Sequence, residues 1–325
     1  MSSQLFSIII CAQGKKDIDK TLRSISKQKV SIKRNQIEIL VVSSSAEITV
    51  KSSTMAACRK KAIFKYYYTP HNGISFLRNI SLQRARGKYL CFIDDDIELG
   101  RDWFINLFSF INMNQDSQIM FGEIHTLDSQ TRKKETWIKK MDAFTPWLVA
   151  TVSKTNKKSI NPYTANVCIR RDVFSIIGRF CEILGNQEGP VSLPYGEDAE
   201  FFRRAWRSNI HISFVDKMNV NHYVSPNRSS LPYLLWRYID NGKNNVVFYL
   251  VELGMMSLIE KMVSTTTLLI GDLSSLVLYF PLGILYVVGK KIGILMMIFY
   301  IIKHKPYYAR MLADFNRMRH SYIQA

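Results

Sequence analysis

Residues 89–104 read YLCFIDDDIELGRDWF, an apolar run typical of a buried strand that leads directly into three aspartates. Like charges packed this closely repel one another and are costly to bury, so the interior of a strand does not tolerate them. The carboxylates are therefore expected at the strand end, in solvent, at a helix start or around a cation. Magnesium and manganese take one or two carboxylates beside phosphate and water oxygens. Because side chains alternate along an extended segment, Asp94 and Asp96 are predicted to reach one such site while Asp95 faces elsewhere.

Strands and helices alternate on the amino-terminal side of this stretch. Strands are predicted at 5–12, 37–43, 61–70 and 88–94, and helices at 16–29 and 75–86. The alternation predicts an α/β fold, Rossmann-like, with a mainly parallel sheet flanked by helices and joined by right-handed crossovers. Ligands of such sheets bind beyond the carboxyl ends of the strands, which is where the aspartates lie.

After residue 105 the pattern becomes mixed. QIMFGEIHT at 118–126 is predicted to form one strand, TANVCIRRDVFSIIGRF at 164–180 a strand and then a helix, and EDAEFFRRAWRS at 197–208 a helix. The polar segments 128–160 and 182–195 are expected to be loops, and loops of this kind commonly set the specificity of a site.

The chain is predicted to divide into a catalytic domain at 1–245 and a helical, membrane-associating region at 246–325. Apolar stretches occupy 246–259, 268–289 and 292–302. The last of these has only eleven residues, fewer than the roughly 20 that a spanning helix needs. Within the last 36 positions the basic side chains face a single acidic one, Asp314: Lys290, Lys291, Lys303, Lys305, Arg310, Arg317 and Arg319. Apolar helices with basic edges favour peripheral or re-entrant attachment to an anionic, cytoplasmic membrane surface, and the alternative is a helical subdomain packed on the core.

The composition is strongly basic, with 44 Lys and Arg against 26 Asp and Glu and a net charge of +18. Such a surface indicates an anionic partner, but the charge is not concentrated in a nucleic-acid-binding motif, so no nucleic acid is expected. Five cysteines without a C-x-x-C pair are predicted to be reduced packing residues, and zinc is not expected. The first apolar run has no basic segment before it, which favours a strand over a signal peptide and predicts cytosolic residence.

Carboxylates and a histidine downstream carry further chemistry. Asp198 follows Gly196 and Glu197 at the start of a predicted helix. A carboxylate there is either a helix cap or, beside a cleft, a general base that accepts a proton from a hydroxyl. His222 is either a packing residue or a late protein ligand to the same cation.

Amides and a guanidinium provide candidate ligand contacts. Asn166 lies just before an apolar stretch, so it either hydrogen-bonds a ligand hydroxyl or closes a turn. Arg78 and Asn79 start the helix that precedes the aspartate strand. Their donors either meet phosphate charge or lie on a solvated helix face.

The order of these motifs resembles the family-2 glycosyltransferases of the GT-A fold. The resemblance covers about residues 5–245 and rests on the following stretches in order: FSIIICAQGK, IEILVVSSS, NGISFLRNISLQRARGKYLCFIDDDIELGRDWF, YTANVCIRRDVFSIIGRF, GEDAEFFRRA and VNHYVSPNRSSLPYLLWRYIDNGKNN. Its most specific part is the G-x-x-x-x-R-N helix that begins at Gly73 and is followed by GKYLCFIDDD, with the Gly-Glu-Asp element further on.

The resemblance implies an inverting transferase that uses a nucleotide-sugar donor with Mn²⁺ or Mg²⁺. Asp94 and Asp96 would bridge the metal to the diphosphate, and His222 would be a further metal contact. Asp198, with Glu197 beside it, would deprotonate the acceptor hydroxyl. The donor-binding residues implied are Ala12, Gln13, Ser43, Ser44, Gly73, Arg78, Asn79, Asp94, Asp95 and Asn166.

The sequence departs from the family pattern at two strand ends. The run from Val42 to Ser45 replaces a V-D-D-G-S-like stretch, so Ser43 or Ser44 offers the nucleotide base an uncharged hydrogen bond in place of an aspartate. CAQGKK replaces the common P-T-Y-N-R after the first strand. A glycan or lipid-linked glycan is the expected acceptor, because the basic carboxyl-terminal region would hold the site near a membrane.

Two other functions fit part of the pattern. A metal-dependent nucleotidyltransferase or phosphotransferase also uses clustered aspartates, but the chain has no G-x-x-x-x-G-K-[ST] loop and such an enzyme does not require the later Gly-Glu-Asp. A non-catalytic, basic, membrane-associated scaffold would leave the aspartates as a solvated strand end. Hydrolysis of a sugar nucleotide separates the enzymes from the scaffold.

Overall fold

The computed structural model describes residues 5–14, 16–30, 32–144, 150–153, 161–185, 193, 195–263 and 282–304, together with positions 306, 310 and 313. The predicted loops at 128–160 and 182–195 and the apolar stretch at 268–289 lie partly outside the described residues. Within the first of these segments, the prediction of a loop is wrong at Thr136–Phe144, which forms a helix. The architecture below belongs to the described part of the chain.

The strands form three sheets. They are β1 Phe6–Ala12, β2 Lys16–Asp17, β3 Ile37–Ser43, β4 Ile48–Thr49, β5 Ile63–Tyr68, β6 Tyr89–Asp94, β7 Ile97–Leu99, β8 Ile119–Phe121, β9 Ile124–Asp128, β10 Asn166–Arg170, β11 Ile212–Phe214 and β12 Val220–Val224. The main sheet has seven strands in the order β11-β8-β10-β6-β1-β3-β5. Its strands β6, β1, β3 and β5 are parallel neighbours, and β10 runs antiparallel to β6 and β8. The predicted α/β fold with a mainly parallel sheet is confirmed.

The helices of the described residues are numbered in chain order. They are α1 Asp19–Ser26, α2 Ser52–Lys61, α3 Ile74–Arg84, α4 Trp103–Met113, α5 Thr136–Phe144, α6 Val173–Ile177, α7 Glu197–Arg207, α8 Leu231–Val263 and α9 Leu282–Lys303. Every residue of β1 and β3 is buried, as expected for parallel strands covered on both faces. The apolar face of α7, which carries Phe201, Phe202 and Ala205, packs into the same core.

The strand register brings several carboxyl ends to one edge of the sheet. Ala12 pairs with Ser43, Ser43 with Tyr68, and Cys11 with Asp94. The loops that follow β1, β3, β5 and β6 therefore leave the sheet side by side. This edge is where an α/β sheet binds its ligands.

The segment 118–126 forms two strands rather than the single strand predicted from its apolar pattern. β8 belongs to the main sheet, whereas β9 pairs with β12 in a three-stranded sheet of order β7-β12-β9. Gly122 lies between them, and a Cβ there would come within 1.8 Å of the carbonyl oxygen of Met218. The chain thus changes sheets at a close backbone approach that only glycine permits.

The two carboxyl-terminal helices cross in close contact. A Cβ on Gly242 would lie 2.0 Å from the carbonyl oxygen of Lys290, and one on Gly293 would lie 1.9 Å from that of Ile239. Glycines at such a crossing let helix backbones approach closely. The predicted division near residue 245 falls inside α8, and the two-domain description stays a prediction. Among the described helices, none has the length and apolar character required of a membrane span.

Candidate functional site

A cavity of about 470 Å³ opens at the carboxyl edge of the main sheet. Its acidic wall comes from the end of β6 and the start of α7. A second wall carries amide and guanidinium groups from α8 and the turn before it. The residues that form these walls are Asp94, Asp95, Asp96, Glu197 and Asp198 on the first, and Arg228, Arg237, Asn241, Asn244 and Asn245 on the second.

All three aspartates line the cavity. Asp94 is the last residue of β6, and Asp95 and Asp96 form a turn before β7 begins at Ile97. The hydroxyl of Thr21 on α1 donates to the Asp95 carbonyl at 2.8 Å and holds this turn. The chain turns at Asp95 and Asp96 instead of continuing as the extended segment that the sequence predicted, and Asp95 lines the cavity as a predicted donor-binding residue.

His222 joins the aspartate turn from the small sheet. It lies on β12 directly opposite Ile97 of β7, and its Nε2 is 3.4 Å from Asp96 Oδ2. The residue is 4% exposed, and its Nδ1 has no hydrogen-bond partner among the residues that the structure describes. The strand pairing thus brings together two candidate metal ligands that are far apart in sequence.

Arg78 connects the two acidic segments. Its Nη1 donates to Glu197 Oε1 at 2.6 Å, and its Nη2 lies 3.6 Å from Asp94 Oδ1. Burial alone would lower the pKa of Arg78, but the charges of Glu197, Asp94 and Asp198 outweigh it and hold the pKa above its ordinary value. Arg78 is therefore a permanent cation between β6 and α7.

Asp198 is the carboxylate suited to proton transfer. Burial raises its pKa to about 7, with Glu197 and Asp94 adding to the effect and Arg78 opposing it. Thr164 Oγ1 lies 3.5 Å from Asp198 Oδ2, and the backbone N–H of Ala199 donates to Oδ1 at 3.0 Å. Gly196, in the left-handed region at φ 96°, turns the chain so that α7 starts at the cavity.

The donor set suits a divalent cation that is shared with a diphosphate. Among the described residues, no three His, Cys, Asp or Glu side chains approach closely enough to form a complete protein metal site. Asp94 and Asp96 nevertheless offer hard oxygens, and His222 offers a buried imidazole. Because Mg²⁺ and Mn²⁺ use few protein ligands when phosphate oxygens are present, these side chains fit such a cation.

The predicted nucleotide-side residues cluster after β1 and β3. Ser44 Oγ accepts from the N–H of Gly14 at 2.9 Å and donates to Asn72 Oδ1 at 3.2 Å. With its amide oriented to suit these neighbours, Gln13 accepts from the N–H groups of Gly73 and Ile74 at 3.0 and 3.2 Å. Of this group, Gln13 and Ile74 line the cavity.

Two other predicted donor-binding residues near these strand ends are internal. Ala12 is fully buried, and Ser43 Oγ accepts from the N–H of Ser45 at 3.0 Å. Neither lines the cavity. Their geometry supports the strand ends rather than a ligand contact.

Asn166 and Asn79 also lie outside the cavity lining. Asn166 is fully buried, accepts from Trp103 Nε1 at 2.8 Å and donates to the carbonyls of Glu123 and Met218. Asn79 donates to the Phe180 carbonyl at 2.9 Å and accepts from the N–H of the same residue. The predicted ligand contacts of both asparagines have no support in this geometry, because their amides join segments of the fold.

The wall provided by α8 was not predicted from sequence. Arg237, Asn241, Asn244 and Asn245 are separated by i, i+4, i+7 and i+8, so they share one helix face. The spacing was a readable signal, but polar residues on a helix face ordinarily indicate solvent exposure. The five cysteines, in contrast, are free and buried as predicted.

A family-wide sequence profile and one curated relative match this chain. The profile is described as Glycosyl transferase family 2 and matches residues 7–176. The relative is the succinoglycan biosynthesis protein ExoM of Rhizobium meliloti (strain 1021), which is 26% identical over 239 residues. That match covers 73% of this chain and 72% of the relative.

Solved structures show more distant likeness. S. aureus TarS 1-349 in complex with UDP has a TM-score of 0.48 and 19% identity over 76% of this chain and 66% of that one. GalNAc-T7 with UDP, GalNAc and Mn²⁺ has a TM-score of 0.45 and 13% identity over 77% and 50%. The chain spans 45% of another TarS structure. At this level the structural matches carry no inference about activity.

Proposed function

This chain belongs to glycosyltransferase family 2 and has the GT-A architecture, and from that premise we propose that it is an inverting, metal-dependent enzyme of polysaccharide synthesis. It would transfer a sugar from a nucleoside-diphosphate sugar to a hydroxyl of a glycan or lipid-linked glycan. The observation that carries this proposal is that one cavity holds both the Asp94, Asp96 and His222 group and the Asp198 carboxylate.

The diphosphate side of the site would consist of the β6 end and β12. Asp94, Asp96 and His222 would hold Mg²⁺ or Mn²⁺ together with the donor. When bound, such a cation supplies positive charge to the diphosphate as it leaves. Arg78 keeps Asp94 in place through its contact at 3.6 Å.

Asp198 would act as the general base. Its carboxylate takes the proton of the acceptor hydroxyl while the hydroxyl oxygen forms a bond to the anomeric carbon. The bond from that carbon to the diphosphate oxygen breaks, and its electron pair leaves with the nucleoside diphosphate. Glu197, although adjacent, is engaged by Arg78 at 2.6 Å, so we assign it to positioning Arg78.

We also propose that α9 docks on an anionic membrane surface. An apolar stripe, the side chains of Val288, Ile292, Leu295, Met296 and Phe299, is exposed along one face of this helix. The basic residues Lys291 and Lys303 lie at the stripe, and their charge complements anionic lipid headgroups. This placement supports a lipid-linked acceptor.

A donor screen tests the proposed reaction. Full-length protein is incubated with UDP-, GDP- and dTDP-sugars in Mn²⁺ or EDTA, and the released nucleoside diphosphate is quantified. Release from one donor that requires the metal and is lost in Asp96→Ala supports the proposal. The control is Asp102→Asn, which changes an exposed carboxylate paired with Lys29.

If no donor is hydrolysed and no donor binds in a metal-dependent way, the result would contradict the enzyme assignment and favour the scaffold function. Release of the nucleoside monophosphate instead would indicate a nucleotidyltransferase or phosphotransferase. A product with retained anomeric configuration, measured by NMR, would contradict inversion.

A further inference from the structure

The face of α8 that borders the cavity has a composition unlike the rest of the site. It presents Arg237, Asn241, Asn244 and Asn245, whereas the end of β6 and the start of α7 contribute carboxylates to the same cavity. A planar amide offers both donors and an acceptor, which is the combination that binds neighbouring hydroxyls of a sugar ring. This wall is not part of the diphosphate or base machinery assigned above.

Asn244 gives the strongest indication that this face of α8 binds a ligand. The residue is 5% exposed and lines the cavity, and within the described part of the chain its Oδ1 has no hydrogen-bond partner. A buried carbonyl without a donor destabilises the fold, so an unsatisfied group of this kind needs an explanation. A hydroxyl donor on a bound ligand supplies one.

The α8 wall contacts the segment that leads into α7, the helix that carries Asp198. The guanidinium of Arg237 stacks at 3.3 Å from the ring centroid of Tyr195, and Tyr195 lies three positions before Asp198 in the chain. The nucleotide-side residues Gln13 and Ser44 instead follow β1 and β3. A ligand on α8 therefore occupies the cavity that Asp198, the carboxylate that would deprotonate the acceptor, also lines.

The position of α8 is fixed by its crossing with α9. Gly242 lies on the helix between Asn241 and Asn244, and its Cα faces the backbone of Lys290 so closely that a Cβ would clash. The buried Tyr238 packs against Tyr286 on the same side, with ring centroids 5.2 Å apart. The amide face is consequently held in place before a ligand arrives, which limits the entropy lost on binding.

We propose that Asn241, Asn244 and Asn245 form the acceptor subsite, in which they hydrogen-bond the hydroxyls of the sugar that receives the transferred residue. This inference rests on the proposed function and names the substrate group that α8 recognises. Arg237 is a positioning residue that keeps α8 against Tyr195.

The test uses Asn244→Leu and Asn241→Leu in the full-length protein. The acceptor probes are octyl β-glycosides of glucose, galactose, N-acetylglucosamine and glucuronic acid, with the donor identified by the hydrolysis screen. Loss of one hydrogen bond is expected to raise the acceptor KM about ten-fold in each variant, with the donor KM unchanged. The melting temperature of Asn244→Leu should be equal or higher, because the change removes a buried carbonyl oxygen that has no donor among the described residues.

Asn112→Leu on the exposed face of α4 is the matched control, with an unchanged acceptor KM. If the wild-type protein hydrolyses no donor, the proposed function is overturned, and the subsite with it. If the wild-type protein does hydrolyse its donor, either of two results overturns the subsite alone. One is that the protein glycosylates none of the probes, and the other is that the α8 variants keep the wild-type acceptor KM. A rise in donor KM instead would assign this wall to the donor.

Discussion

Arg78 Nη1 donates to Glu197 Oε1 at 2.6 Å although the two residues are 119 positions apart in the chain. Both side chains are buried, and the same guanidinium reaches Asp94 at 3.6 Å. The pair therefore ties the start of α7 to the end of β6. Any change in this bond alters both the stability of the domain and the spacing of the two acidic segments.

Glu197→Gln is expected to lower the free energy of unfolding by about 3 kcal/mol, because it leaves the buried Arg78 charge without its main partner. Urea denaturation measures the change. Asp172→Asn is the control, since it breaks the exposed pair with Arg170 and is expected to cost less than about 1 kcal/mol. Equal costs in the two variants would contradict the structural role of the buried pair.

Asn166→Ala is expected to destabilise the fold by about 3 kcal/mol, because the Trp103 N–H and two carbonyls lose their partner. Guanidinium denaturation gives the stability, and steady-state kinetics give the donor KM. The donor KM should stay within about two-fold of wild type, since a fully buried amide does not contact the ligand. The opposite pattern, a raised KM at unchanged stability, would restore the donor contact predicted from sequence.

These residues show what sequence patterns reveal and what they miss. The strands and the Gly-Glu-Asp helix were predictable because apolar periodicity and motif order are local. The chemistry of Asn166 was not, because an asparagine before a strand looks the same whether it contacts a ligand or Trp103. The turn at Asp95 and Asp96 was not predictable for a related reason, since the Asp95 carbonyl is held by Thr21 on a distant helix.

The site also contains groups whose place in it depends on contacts between distant segments. His222 meets Asp96 only because β12 pairs with β7. Asn244 lines the cavity from α8, a helix more than 100 residues after the aspartates. Such arrangements depend on the packing of distant segments, so the sequence offered His222 as a candidate ligand without showing that it meets Asp96, and it did not predict the role of α8.

The rate of transfer is expected to rise with pH up to about 7. Burial, with Glu197 and Asp94 adding to it, raises the pKa of Asp198 to about 7, and only the unprotonated carboxylate accepts a proton. Below that pH, kcat/KM for the acceptor should fall about ten-fold per pH unit, and above it the value should level off. The profile is recorded with Mg²⁺ and saturating donor from about pH 5 to about pH 8.5, so that it extends to both sides of the expected pKa.

The donor KM over the same pH range is the control for this titration. A flat donor KM assigns the inflection to the base. An inflection in donor KM with pH-independent turnover would assign it to the carboxylates around the diphosphate instead. Asp198→Asn should abolish transfer at every pH, and substantial residual turnover in that variant would remove Asp198 as the base.

Leu295→Ser combined with Phe299→Ser is expected to weaken binding to anionic vesicles at least about ten-fold, because burying a large apolar side chain contributes about 1.5–3 kcal/mol. The two side chains are 67% and 63% exposed on α9. Co-sedimentation with vesicles of phosphatidylcholine and phosphatidylglycerol measures the change. Binding should also weaken at high salt, since Lys291 and Lys303 contribute electrostatic attraction.

Met113→Ser with Ile176→Ser is the matched control for the vesicle experiment, because it removes two exposed apolar side chains from α4 and α6, away from the α9 stripe. This variant should bind vesicles like the wild type. Equal loss in both double variants would mean that general surface hydrophobicity drives sedimentation. Binding that is equally strong to vesicles of phosphatidylcholine alone would contradict the role of the lysines, since a neutral surface offers no charge for them to attract.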